Sequence, residues 1–181
     1  MRIVHFFAAA AVVCVASAAS AQTASRKPAP AKPAPNPDAP KMLGRFDDWV
    51  AATHLESGQT VCYAFTRASN SSPAIAGRGE VVLTVTERPT ARDAVAIAAG
   101  FVYPAGAEVT MQVDQFASPF YTAQRAAFAR DGASVTAAFQ RGKQAFARSN
   151  GPHGSPVADT FSLKGFSPAY AAVLKACPVQ R

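Results

Sequence analysis

The chain has 181 residues, 49% of them hydrophobic and 16% charged, with a formal charge of +7. That balance excludes a disordered or fibrous protein and suits one globular domain with a substantial core. The charge excess is not gathered into any Lys/Arg run interleaved with aromatics, so nothing points to nucleic-acid binding, which needs a clustered basic face.

Residues 1–21 read as an export signal. Arg2 supplies the positive start, residues 3–19 are apolar apart from His5 and Ser17, and Ala19-Ser20-Ala21 has the small-x-small form of a cleavage site. Cleavage is therefore expected between Ala21 and Gln22. The competing reading is an uncleaved membrane anchor, but the run falls short of the ~20 residues a bilayer requires and is mostly alanine.

Residues 22–43 form a basic, proline-rich linker. Arg26, Lys27, Lys32 and Lys41 face one acid, Asp38, and six prolines lie between Pro28 and Pro40. Proline fixes φ and removes a backbone donor, so the segment favours an extended polyproline conformation over a packed element. At ~3.1 Å per residue it spans some 40 Å, a spacer whose lysines allow at most peripheral contact with an anionic membrane surface.

Residues 44–181 then hold thirteen Lys/Arg against ten Asp/Glu, a mildly basic domain. Strands are expected over residues 49–52, 60–66, 80–86, 95–102, 108–113, 116–122 and 144–148, where β-branched and aromatic residues recur. Turn signals such as Ser57-Gly58 and Pro104-Ala105-Gly106 separate them. A helix is expected over 135–141, capped by Asp131 or Ser134 and ended by Gly142. A second follows Ser167 as N-cap, with Pro168 in its first turn and Tyr170, Val173, Leu174 and Cys177 on one apolar stripe. The fold class is mainly β: an antiparallel sandwich or barrel-like domain with two short helices, the second towards the C-terminus.

Loss of the signal removes Cys14 and leaves Cys62 and Cys177. In an oxidising compartment two cysteines allow one pairing, so Cys62–Cys177 is expected to staple the final helix to a strand. The alternative is two buried free thiols. A metal site would require more ligands than these cysteines, His54 and His153 supply, and neither a metal nor another cofactor is expected.

No catalytic set stands out. His153, Ser155 and Asp159 name the residue types of a hydrolase triad, but triads are assembled from separate elements and no Gly-x-Ser-x-Gly elbow exists here. Asp47 and Asp48 are sequence neighbours, not acids facing each other across a cleft. Gly77-Arg78-Gly79-Glu80 allows a small anion nest or, more simply, a turn. Twelve large aromatics, from Trp49 and Phe65 through Phe116, Tyr121, Phe128 and Phe146 to Phe166, suffice to fill one core, which is the default place for them.

The spaced features Asp48-Trp49, Cys62-Tyr63-Ala64, Arg78-Gly79-Glu80-Val81, Val85-Thr86-Glu87-Arg88-Pro89 and Gly100-Phe101 continue into Asp159-Thr160-Phe161-Ser162-Leu163-Lys164-Gly165-Phe166, Ala169 and Cys177. In this order they resemble the invasion-associated locus B family of alphaproteobacterial envelope proteins, over about residues 44–178. The resemblance implies a small β-sandwich in the periplasm or outer envelope, with no catalytic residues to carry over. The expected function is that of an exported, non-enzymatic envelope protein that binds an envelope or host-surface protein partner, or supports envelope integrity. A periplasmic hydrolase using His153, Ser155 and Asp159 is the alternative.

Overall fold

The computed structural model describes residues 39–179. The signal segment, the Ala21–Gln22 cleavage site and residues 22–38 of the linker lie outside the described residues. Eleven strands and two α-helices follow in the order β1 (Lys41–Phe46), β2 (Trp49–Glu56), β3 (Gln59–Arg67), β4 (Asn70–Ser72), β5 (Val82–Glu87), β6 (Ala94–Ala98), β7 (Glu108–Val113), β8 (Phe116–Ala123), β9 (Ala126–Ala129), α1 (Gly132–Arg141), β10 (Gln144–Asn150), β11 (Pro156–Ser162) and α2 (Phe166–Ala176). β1 begins at Lys41, inside the segment read from the sequence as linker.

All pairings are antiparallel, in the order β1-β2-β3-β5-β6-β9-β8-β7-β10-β11-β4. β4 is the continuation of β3 after two residues. At Ala68 the chain still bonds to β5, through Val81 O at 2.9 Å, and at Ser69 it switches to β11, through Thr160 O at 2.8 Å. The pairing therefore runs round from β3 to β11 and returns to the same bent strand, a barrel-like closure from which the β1–β2 hairpin extends. The start of that hairpin is tied back to the end of β11 by Trp49 Nε1 donating to Ser162 O at 2.9 Å and Asp48 N donating to Lys164 O.

Alternation decides which side chains meet inside. β5 reads half-buried, buried through Val82–Glu87, and β7 and β11 keep the same period of two. Leu83, Val85, Val95, Ile97, Val109, Met111 and Phe120 thereby form one core. Helix α2 closes it over β1–β3: Phe166 meets Trp49 edge-on with ring centroids 4.7 Å apart, lies 5.5 Å from Phe139 of α1, and stacks on Tyr170 at 5.5 Å.

Two local differences from the sequence reading have physical causes. The strand expected over 95–102 stops at Ala98, because Gly100 takes φ +76° and a Cβ there would sit 2.3 Å from Gly79 O. The N-cap of α2 is Gly165, not Ser167. Gly165 has φ +88° and its missing Cβ would fall 2.0 Å from Phe46 O, so only glycine lets the helix begin this close to β1. Asp131 does cap α1, accepting from Ser134 N at 3.0 Å and from Ser134 Oγ at 2.6 Å.

Candidate functional site

The three triad candidates are not brought together. His153 lies in a short 3-10 turn with φ 59°, and it and Ser155 are exposed. Asp159 is buried on β11, where both carboxylate oxygens are taken: Arg78 donates to them at 2.9 and 2.7 Å, and Ser71 donates at 2.6 Å. Among the described residues no hydrogen bond joins His153, Ser155 and Asp159, so the arrangement has no base to activate a nucleophile.

The Arg78–Asp159 pair is an internal brace. The two side chains are 6% and 4% exposed, Arg78 Nε donates to Ala99 O at 2.8 Å, and its guanidinium lies 4.8 Å from the centre of the Phe101 ring. Burial pushes the neighbouring Tyr103 hydroxyl up to about 12, helped by the charge of Asp159 and opposed by Arg78. The glycines flanking Arg78 form no anion nest, because Arg78 N and Gly79 N already donate to Ile75 O and Gly100 O. Asp47 pairs with Lys164 at 3.0 Å across the surface.

A second polar cluster sits behind the disulfide. Cys62 and Cys177 are joined, with Cα atoms 6.0 Å apart. Glu87, fully buried opposite Cys62, faces Arg92 at 2.6 Å, and Arg92 Nη1 also donates to Cys177 O at 3.0 Å. Tyr170 donates to Asp93 at 2.5 Å and approaches Glu87 at 3.3 Å. Burial raises the Glu87 carboxyl above its ordinary range; the Asp93 amide hydrogen bond opposes the rise and the Asp93 charge adds to it, while Arg92 and Tyr170 oppose it. These groups hold α2 and the 88–93 loop together, and Arg92 and Cys177 also line a cleft of about 280 Å³ with Gln59, Thr60 and Pro178. Among the described residues no group of three or more His, Cys, Asp or Glu could hold a metal ion. A groove of about 550 Å³ beside Ser72, Pro73, Arg148 and Pro156 is open, and its polar side chains are solvated.

What the register does assemble is an outward face that the sequence reading assigned to the core. Opposed residues run in one row across eight strands: Arg45, Val50, Phe65, Thr84, Ala96, Phe128, Tyr121 and Glu108, of which the last two lie on β8 and β7. The next row on the same face is Ala52, Tyr63, Thr86 and Ala94. Phe65, Tyr121, Phe128 and Phe146 therefore point out, while Trp49, Phe120, Phe139, Phe161 and Phe166 point in.

The outward aromatics gather in two ridges. On β2–β3, His54 meets Tyr63 edge-on at 5.4 Å, Tyr63 stacks on Phe65 at 6.0 Å, and Arg67 lies 5.8 Å from the Phe65 centroid. On β8–β9, Tyr121 stacks on Phe128 at 5.5 Å and Arg130 lies 5.5 Å from the Tyr121 centroid. Each ridge ends in an arginine paired with a glutamate: Arg67 with Glu80 at 2.8 Å, Arg130 with Glu108 at 3.5 Å. Three strand gaps, about 14 Å, separate Phe65 from Phe128, and the floor between them is the small pair Thr84 and Ala96. Val50 and Ala52 are buried beneath this face, outside the main core.

Comparison with known proteins places this architecture. No curated protein sequence matches the chain. The crystal structure of invasion associated protein B from Bartonella henselae is similar in fold, with a TM-score of 0.54 at 18% identity, covering 74% of this chain and 95% of that one. The family model described as invasion associated locus B protein matches residues 49–174, well over half of the sequence. Within that span the residues that carried the resemblance are those that build the fold: Trp49 and Phe166 in the aromatic core, Gly100 and Gly165 at close approaches, Asp159 in the brace. The chain belongs to the invasion associated locus B family.

Proposed function

We propose that this chain is an exported, non-enzymatic envelope protein that acts by binding a partner on the outward face of β2, β3, β5, β6, β9 and β8. The observation that carries the reading is the pair of Arg-capped aromatic ridges flanking a floor of small residues. Aromatic side chains left at a surface together, instead of inside, mark recognition sites more often than catalytic ones. Among the described residues, Cys62 and Cys177 are bonded to each other, and Asp159 and Glu87 are each held against an arginine. Export rests on the signal-like residues 1–21 and is supported by the disulfide, which persists where thiols are oxidised.

A photo-crosslinking residue placed at position 121 tests the binding role in intact cells, with the same residue at position 175 of α2 as control. Capture from 121 and not from 175 is the expected result. Equal capture from both, or none, removes this face as the binding site. N-terminal sequencing of protein recovered from the envelope should begin at Gln22; an intact Met1 would replace a free protein by an anchored one. Hydrolysis abolished by His153→Ala would restore the enzyme reading.

A further inference from the structure

We infer that the ligand of the two-ridge face is a neutral glycan, a run of uncharged sugar rings lying across the floor between Phe65 and Tyr121. This rests on the reading of the face as a binding surface and adds the chemistry of what it binds.

Four properties lead there. First, the two ridges are electrically balanced. Each arginine at a ridge end is already paired with a glutamate. Arg45, exposed at the β1 end of the row and without an ion pair among the described residues, is a single charge and not the clustered basic patch that a nucleic acid, an anionic polymer or a charged lipid surface requires. Second, those exposed pairs and the half-exposed Thr84 and Thr86 present donors and acceptors side by side, which is what hydroxyl groups, being both, require. Third, aromatic rings attract weakly positive C–H groups, and a pyranose has one face made of such C–H groups. The stacked pairs Tyr63–Phe65 and Tyr121–Phe128 hold two such platforms at a fixed separation on a rigid sheet.

Fourth, the area is small. Four strand gaps by about five residues of strand give about 330 Å², against ~800 Å² per partner in a stable protein complex. A second copy of this chain or a folded partner would need much more surface than the ridges frame. A linear chain of flat rings does not. The small floor residues let such rings lie flat where a large side chain would lift them.

Isothermal titration of the full mature chain with neutral tetrasaccharides (β-1,4-linked glucose, N-acetylglucosamine and mannose) tests this, with a sulfated oligosaccharide as the charged comparison. Binding of at least one neutral tetrasaccharide is expected, insensitive to salt. Tyr121→Ala and Tyr63→Ala should each weaken it about tenfold or more, equivalent to ~1.4 kcal/mol. Phe146→Ala, outward on β10 but outside the row, should change it less than about twofold. Tyr121 is 44% exposed, so Tyr121→Ala should melt with the parent chain and keep the test free of unfolding.

The inference is overturned if no neutral tetrasaccharide binds at millimolar concentration. It is equally overturned if only the sulfated one binds and salt removes it, or if Tyr121→Ala and Tyr63→Ala leave binding unchanged. Protein capture from a crosslinker at 121 together with no sugar binding would reject the glycan while leaving the binding face standing. Failure of both would remove the face as well.

Discussion

Asp159 and Glu87 are both acids inside the barrel, and their surroundings make them behave differently. Asp159 has two guanidinium hydrogen bonds and a serine, whereas Glu87 shares its site with Asp93. Removing one partner of a buried pair strands the other charge, at a cost of about 3–5 kcal/mol. Asp159→Ala should therefore lose about that much in urea unfolding, while the double change Arg78→Met with Asp159→Leu should cost clearly less than the single one. For Glu87 the folded carboxyl is raised above its ordinary value of 4.5, so the folded state holds the proton more tightly than the unfolded chain. Its contribution is fully present below pH 4.5 and is lost as pH rises through the folded value. Glu87→Gln should flatten that decline, read as melting temperature against pH; an unchanged slope would show that another group is responsible.

At the scale of elements, all seven strands expected from the sequence are present, and so are both helices. β1, β4, β9 and β11 were not legible, for separate reasons. β9 follows a two-residue turn, Gln124–Arg125, that carries neither Gly, Asn nor Pro, although Gln124 adopts φ 54°. β11 puts Asp159 at an inward position between Val157 and Phe161, so a charge interrupts an otherwise regular period of two. Arg78, 81 residues away, and Ser71 make that position tolerable. β4 borrows its regularity from the bend after β3, and β1 sits in a stretch whose prolines and lysines read as linker. The outward face was hidden for a related reason. Aromatics look alike in sequence whichever side of a sheet they occupy, and pairing register alone assigns Phe65 and Phe128 to the outside. Gly165→Ala tests how tightly the last junction is set. The added Cβ meets Phe46 O at 2.0 Å and must hold a left-handed φ, so a loss of ~3 kcal/mol is expected in denaturant unfolding. A loss below ~1 kcal/mol would mean that α2 shifts freely on β1.

For the whole molecule, the disulfide joins positions 115 residues apart, with β3 at one end and the C-cap of α2 at the other. Chain-entropy arguments give such a loop at most about 5 kcal/mol. Cys62→Ser or Cys177→Ser should lower the melting temperature by roughly 10 °C in oxidising buffer, and the difference from the parent should vanish after full reduction. A persistent difference under reducing conditions would locate the effect in packing of the sulfur atoms, Cys62 being fully buried.

The same separation gives the thiols a second meaning, as a record of whether a chain is whole. A chain that ends between residues 62 and 177 before the bond has formed keeps Cys62 and lacks its mate. In oxidising surroundings that orphan sulfur is free to join another molecule, whereas a chain that has shed Cys14 with residues 1–21 and kept residue 177 has its two remaining thiols bonded to each other. Chains ending at residue 165 should thus run on a non-reducing gel as covalent pairs or mixed disulfides and collapse to single bands with reductant, while full-length chains stay monomeric in both lanes. Damage would be written in the bonding pattern before any loss of function could be read.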